Sequence, residues 1–311
     1  MPETMDMETV LITGGTGLIG TALTTMLISK GYDVIILSRR KQASAGKVSY
    51  ALWDLKTSFI DPQAIKRADH IIHLAGAGVA DKRWTKKRKQ EIVDSRVNTG
   101  KLIVRALSET ENKVKTVVSA SGMGWYGSDR KNGRPFVEMD PPSNDYLGNT
   151  CKLWEESVQP VTSLGKRLVH LRTGIVFSNK GGAFREFLKP FKAGIAAILG
   201  SGNQVISWIH VDDLCRIYLE AIENQQLNGP YNASAPETIS NKQLMLKIAK
   251  ALRRPYIPVH VPEFALRLVL GEMSIEVLKS ATMDDSKIRK TGFNFIYPTV
   301  DAALNVLIRP R

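Results

Sequence analysis

The chain has 311 residues, 43% apolar and 23% charged, a globular composition with enough apolar mass for a large core and more than one lobe. It carries 43 Lys and Arg against 30 Asp and Glu, a formal charge of +13 that favours anionic partners such as nucleotides or phosphorylated substrates. Two cysteines, Cys151 and Cys215, exclude a disulfide framework, and no apolar run is long enough to cross a bilayer. With no signal-peptide pattern over Met1 to Glu8, a reducing, cytoplasmic setting is expected. The five histidines are scattered without metal-ligand spacing, so no metal is expected.

The first element decides how the rest is read. Val10-Leu11-Ile12 is a strand-like run that ends in Thr13-Gly14-Gly15-Thr16-Gly17-Leu18-Ile19-Gly20 and opens a helical segment, Leu18 to Lys30. This is strand, tight turn and helix of a nucleotide-binding βαβ unit. Gly14 allows the turn, Gly17 lets a diphosphate approach the main chain, and Gly20 lets the helix lie on the strand. Amides from Thr13 and Gly14 through Thr16, Gly17, Leu18 and Ile19, with the positive end of the helix dipole, then hold the anion. A second strand, Asp33 to Leu37, ends in Ser38-Arg39-Arg40. An NAD-selective fold places a carboxylate near this point for the ribose 2′-hydroxyl. Two guanidinium groups suit a 2′-phosphate instead, so NADP is the expected cofactor.

The spacing Gly-x-x-Gly-x-x-Gly behind Thr13 resembles the extended, epimerase-like branch of the short-chain dehydrogenase/reductase superfamily. That resemblance implies an α/β fold, a Rossmann-type doubly wound parallel sheet. It sets Asp54-Leu55, after a third strand at Val48 to Leu52, beside the adenine. It gives Leu74-Ala75-Gly76, after a fourth strand at Asp69 to Leu74, to the cofactor's path. Glu91 and Arg96, on a long helix from Trp84 to Leu107 that also carries Asn98, are implied to face the cofactor. Ser119 and Val176 belong to the same edge. His70 and His73 are strand residues satisfied locally.

The catalytic pattern departs from the superfamily. The fifth strand, Lys115 to Ser119, runs into Ser121-Gly122-Met123-Gly124-Trp125-Tyr126-Gly127. A helix with Tyr-x-x-x-Lys should follow, the lysine lowering the tyrosine pKa for acid–base work. Tyr146 and Lys152 are six apart rather than four, which puts them on nearly opposite helical faces. If Glu155 is the helix glutamate, the Lys position falls on Cys151 and the Tyr position on Leu147. The remaining catalytic candidates are Ser121, Tyr126 and Tyr146, with Cys151 a fourth that reads better as a small buried residue than as a nucleophile. Together with the later segments "WIHVDDL" and "KSATMDDSKIRKTGFNFIYPTVDAAL", this pattern resembles an atypical epimerase-like family whose C-terminal region is a domain of unknown function.

A sixth strand is expected over Val169 to Phe177. Residues 1–175 then form the cofactor domain and 176–311 a smaller, mostly helical substrate lobe, with a strand near 229–233 returning to the sheet. The resemblance places Trp208, His210 and Asn232 on the substrate side, and Asp212 as a helix cap. Phe293, Phe295 and Tyr297 are expected to pack in the lobe. Two functions follow: an NADP(H)-dependent oxidoreductase or epimerase acting on a small molecule, a nucleotide sugar or carbonyl compound; or a catalytically weak NADP(H)-binding sensor or scaffold. The basic run Lys82 to Lys89 raises nucleic acid as a third partner, disfavoured because Trp84 alone interrupts it with an aromatic and no RNA-binding motif is present. The sequence leaves the oligomeric state open.

Overall fold

The computed structural model describes residues 7–308. In chain order the elements are β1 (Thr9–Thr13), α1 (Leu18–Ser29), β2 (Asp33–Ser38), β3 (Val48–Asp54), β4 (Phe59–Ile60), α2 (Pro62–Arg67), β5 (His70–His73), α3 (Lys86–Glu109), β6 (Thr116–Gly122), α4 (Tyr146–Val158) and β7 (Arg167–Thr173). They continue with β8 (Ile175–Phe177), α5 (Gly182–Leu188), β9 (Ile195–Leu199), β10 (Val205–Ile206), β11 (Trp208–His210), α6 (Val211–Glu223), β12 (Gly229–Ala233), β13 (Ile239–Ser240), α7 (Asn241–Leu252) and β14 (Ile257–Val261). Four short helices close the chain: α8 (Glu263–Leu270), α9 (Ser274–Leu278), α10 (Ser286–Arg289) and α11 (Val300–Leu307).

The main sheet runs in the order β12-β7-β6-β5-β1-β2-β3-β4. Every pairing from β12 to β3 is parallel, and the short β4, which the sequence pattern does not announce, pairs antiparallel to β3. The chain winds outward from β1 in both directions, so the strand order reverses between β1 and β5. Ligands of such sheets lie at that reversal, outside the carboxyl ends of the strands. Strands buried on both faces explain the unbroken apolar runs of β1 and β2. Val10, Ile12, Val34, Ile36 and Val118 face α1 and α6, and Leu11, Ile35, Ile71 and Val117 face α2 and α3.

The sequence expectation of one strand from Val169 to Phe177 does not hold. The strand breaks at Gly174, where the chain changes partners. Gly174 N still donates to Ala233 O of β12, but Ile175 N donates to Ser207 O, and β8 pairs with β11. A side chain at Gly174 would stand 2.7 Å from Ser207 O. β8 therefore hands the chain to a second core built by Phe177, Phe184, Ile198, Trp208, Leu244, Ile248 and Leu304. α7 enters that core behind a reciprocal Ser240–Gln243 cap. Of the three aromatics near the end, only Tyr297 joins it. Phe293 and Phe295 pack on the α1–α6 side of the main sheet instead, edge to face with each other at 5.0 Å.

Candidate functional site

The carboxyl edge of the sheet begins at Gly14, which has φ +70° and would bring a Cβ to 3.1 Å from Ala75 N. The preceding Thr13 is fully buried, and its hydroxyl accepts from Leu74 N and Ala75 N at 3.1 Å. The hydroxyl proton is left for His73 Nδ1, 2.8 Å away. His73 Nε2 meets Thr99 Oγ1 at 3.3 Å, so the imidazole is held neutral, and burial pushes its pKa down to about 3. Thr13 is thus a clamp between β1 and β5 and a poor ligand through its side chain. Beyond it, Gly17 caps α1 with no side chain, and the first turn carries no acidic residue. A Cβ on Gly17 would touch only Gly14 O, at 3.3 Å, and otherwise project into open space. A Cβ on Gly20 would fall 2.4 Å from Gly14 O. Thr16 and Gly17 are exposed, and Leu18 and Ile19 are half-buried, so the unpaired amides of the α1 start face an accessible seat.

At the end of β2, Ser38 Oγ accepts from Arg40 N and Gln42 Nε2, which fixes the turn. Arg39 and Arg40 are both exposed, and among the described residues no carboxylate pairs with either. At the end of β3, Asp54 closes its own turn by accepting from Lys56 N and Thr57 Oγ1. Its neighbour Leu55 lines a cleft of about 820 Å³ with Lys86, Lys87, Gln90, Glu91, Asp94, Ser95 and Asn98 of α3. The structure therefore brings Leu55, Glu91 and Asn98 together, although Glu91 is held by Arg88 at 2.8 Å. The basic run is divided: Trp84 and Arg88 point inward, while Lys86 and Lys87 face the cleft. Arg96 lies under Gly76 at the end of β5, its Nη1 donating to Ala77 O and Ile92 O at 2.9 Å.

The end of β6 is built differently. Ser121 is buried, and its hydroxyl donates to Glu155 Oε1 at 2.7 Å. Glu155 in turn holds Arg172 through two bonds, 2.8 Å from Nε to Oε1 and 2.9 Å from Nη2 to Oε2. Arg172 also donates to Glu138 O and to Tyr126 Oη, and lies 3.6 Å over the Trp125 ring. Tyr126 is buried, donates to Asn232 Oδ1, and has its phenol pKa pushed up by burial, away from neutral-pH acid–base work. Tyr146 opens α4, and its hydroxyl donates to Lys89 O at 2.9 Å, with Trp84 edge-on at 4.9 Å. All three expected catalytic hydroxyls are therefore engaged with protein. Asp145 caps α4 by accepting from Gly148 N, which fixes the helical register. In that register Leu147 packs near Gly124, and Cys151 Sγ lies 3.7 Å from Gly122 O, with its thiol pushed up to about 11 by burial. Lys152 is half exposed and lies 3.9 Å from Glu156, away from the sheet.

The sequence profile of the NAD dependent epimerase/dehydratase family matches residues 10–234, and a domain of unknown function, DUF1731, matches 261–307. The chain belongs to the NAD dependent epimerase/dehydratase family. It is 36% identical over 305 residues to the epimerase family protein YfhF of Bacillus subtilis (strain 168), covering 97% of this chain and 98% of that one. Among solved structures it is similar to human epimerase family protein SDR39U1 (isoform2) with NADPH, with TM-score 0.85, 28% identity, and 96% and 99% of the two chains covered. A nucleoside-diphosphate sugar epimerase from Corynebacterium glutamicum gives TM-score 0.77 at 29% identity, covering 97% of this chain and 58% of that one.

Within this epimerase-family fold, three residues expected on the substrate side lie elsewhere. Trp208 is fully buried, stacked on Phe177 at 4.8 Å in the lobe core, because β11 turns it inward alongside β8. Asn232 is fully buried. Its amide nitrogen donates to Phe136 O and Asp284 O, and its oxygen accepts from Tyr126, so no polar atom of the side chain is left for a ligand. His210, not Asp212, caps α6: its side chain accepts from Asp212 N while Tyr297 packs on the ring at 4.0 Å. The buried member of the Asp pair is Asp213, which accepts from Ile296 N and Tyr297 N and ties the closing segment to α6. Ser119 is also fully buried, and its hydroxyl turns to Ala120 O at 3.2 Å. Leu74, Ala75, Gly76 and Val176 stay at the sheet edge, with Gly181 and Gly182 bringing the β8–α5 turn against Leu18. The sequence reading missed that Glu155, Arg172 and Glu138 form one buried network. The available signal was an arginine in an otherwise apolar strand, Arg172 in Val169-His170-Leu171-Arg172, which demands a buried anion.

Proposed function

We propose that this chain binds NADP(H) along the carboxyl edge of its sheet. The adenosine 2′-phosphate lies against Arg39 and Arg40, and the pyrophosphate against the amides at the start of α1. The observation that carries this reading is the pair of exposed arginines at the end of β2, with no carboxylate at either one among the described residues. A guanidinium binds a phosphate dianion through charge-assisted, forked hydrogen bonds, and nothing within this turn competes for it. The open seat over Gly17, which any Cβ would obstruct, fits a diphosphate. The NADPH named with the human relative supports the same cofactor. Leu55 and the cleft it shares with α3 suit the adenine ring.

A bound nicotinamide would supply a hydride donor or acceptor. What the chain's own residues add at that end is restricted. Ser121, Tyr126 and Tyr146 each donate to a protein acceptor, and the two positions of the missing Tyr-x-x-x-Lys pair carry Leu147 and Cys151. These prior engagements favour the reading in which the protein holds NADP(H) and turns over weakly, with a nucleotide sugar or carbonyl compound as the substrate class to be tested. Titration calorimetry with NADPH and NADH decides the cofactor: NADPH is expected to bind at least tenfold more tightly, and equal or reversed affinities overturn the assignment. Purified protein with NADPH, or with NADP, and a panel of nucleotide sugars and aldehydes decides turnover. Rates that vanish in Ser121→Ala with cofactor affinity intact would favour a working enzyme over the holding role.

A further inference from the structure

The substrate-side lobe leaves an apolar face uncovered. Half of the large apolar side chains exposed among the described residues, Ile257, Val259, Phe264, Leu268, Val269 and Ile275, fall on β14, α8 and α9. Such a concentration marks an interaction surface rather than scattered surface apolar residues. β14 pairs in parallel with β9, with Ile257 beside Ile195, Val259 beside Ala197 and Val261 beside Leu199, so these side chains share one face of a two-stranded ribbon. The opposite face packs into the lobe core through Ala196 and Ile198. The edge of β14 does not invite a further strand. Ile257 N donates to Gly194 O and Val261 O accepts from Gly200 N, which turns the backbone of Pro258 and His260 outward. Pro258 has no N–H to offer there. A partner therefore meets the face, not the edge. That face carries no charged side chain, and charges stand at the two ends of the ribbon. Lys192, Arg253 and Arg254 are exposed where the strands start, and among the described residues no carboxylate pairs with them. Glu263 is exposed where the strands finish, its Cγ 3.5 Å from where a Cβ on Gly200 would stand. Its pairing with Arg267 is 3.7 Å long with both side chains in solvent, which makes it weak.

We propose that this face is the contact between two copies of the chain, packed ribbon on ribbon about a two-fold axis. Such an axis lays the ribbons antiparallel, with their self-complementary apolar faces about 10 Å apart. It also brings the cationic end of one protomer to Glu263 of the partner subunit, twice over by symmetry. An anionic lipid surface or an acidic protein would suit the cations but would stand against Glu263, so the opposite signs at the two ends favour a second copy. Phe264 and Leu268, one helical turn apart on α8 beside Glu263, extend the apolar area past the end of the ribbon. Burial of the apolar face supplies the affinity, and the end charges set the direction. None of these residues takes part in the cofactor reading, which stands or falls separately.

Sedimentation velocity of the full chain over about 1–100 µM tests the contact, with thermal melts as the folding control. Wild type is expected to move from one chain mass to two across that range. Ile257→Lys with Val259→Lys is expected to weaken the dimer at least about tenfold, because each places a cation in an apolar contact, and to leave NADPH affinity unchanged. Arg254→Glu and Glu263→Lys are each expected to weaken it about threefold, and the two together to restore wild-type assembly, since opposite charges again meet across the axis. If the paired lysine variant does not fold, these two substitutions, both in solvent, decide by the same loss and rescue. A wild type that stays monomeric to about 100 µM overturns the proposal, as does a dimer that survives Ile257→Lys with Val259→Lys. A monomeric wild type that co-sediments with vesicles of phosphatidylcholine and phosphatidylglycerol would give the face to a lipid surface and overturns it as well. Charge reversals that do not rescue each other overturn the antiparallel arrangement.

Discussion

At the end of β2, two arginines stand in solvent with no carboxylate near them, and the neighbouring glycine turn leaves a bare helix start. At the end of β6, on the same sheet edge, Ser121, Glu155, Arg172, Tyr126 and Asn232 form one buried chain of hydrogen bonds. The first region is shaped like half of a complex. The second is complete by itself. The difference teaches that one sheet edge can carry both kinds of end: polar groups left open to solvent at β2, and hydroxyls tied into the packed interior at β6.

The comparison breaks most decisively at the closed end. Glu155→Gln leaves Arg172 charged and buried without its bidentate partner, and should lower stability by about 3–5 kcal/mol in urea unfolding. A loss below about 1 kcal/mol would mean that the network is loosely held and its hydroxyls are available. At the open end, Arg39→Ala with Arg40→Ala should leave the melting temperature unchanged and weaken NADPH by roughly 10- to 100-fold, at about 1.5–3 kcal/mol for hydrogen bonds to a charged group. NADH should change less than threefold, since it lacks the 2′-phosphate. Gly20→Ala tests whether the seat depends on helix–turn contact: a methyl 2.4 Å from Gly14 O should cost about 1–3 kcal/mol by overpacking, and should weaken both coenzymes alike.

A smaller effect sharpens the boundary between the two regions, at the clamp of Thr13 and His73. The folded-state pKa of His73 is depressed to about 3, below the ordinary histidine value of about 6.5 in an unfolded chain. The unfolded state therefore binds the extra proton first as pH falls. The stabilisation is fully present above about pH 6.5 and declines toward pH 3, by at most about 1.4 kcal/mol per pH unit for this group. Urea midpoints at pH 7, 6 and 5 should show the decline, and His73→Asn should flatten it. The smallest effect belongs to Ser121→Ala, expected at about 1 kcal/mol for one hydrogen bond, with NADPH affinity unchanged.

Much of the fold was legible because its signals are local. The β1 run and the glycine turn lie where the sequence pattern puts them, and the strand at 229–233 joins the main sheet beside β7. The break at Gly174 was not legible, because an apolar strand that changes partner keeps the same composition on both sides. The exposure of Arg39 and Arg40 was legible, since it follows from a turn after a strand. Trp208 and Asn232 were misread because a resemblance gives a residue's place in the chain but not the face of the strand it occupies. The missing Tyr-x-x-x-Lys spacing was visible in the text, and the α4 cap at Asp145 confirms the register behind it.

The sequence by itself determined the strand–turn–helix opening, the arginines where an acidic residue would select NAD, and the absence of the lysine. Each depends on residues within a turn or two of one another. Only the tertiary structure decided that Ser121 is held by Glu155, 34 positions away, that Tyr126 is held by Asn232, 106 positions away, and that Arg96 lies beneath Gly76 without a carboxylate. Whether a polar group is free or satisfied depends on what folds against it, and in a parallel sheet the groups that meet at one edge come from distant crossovers.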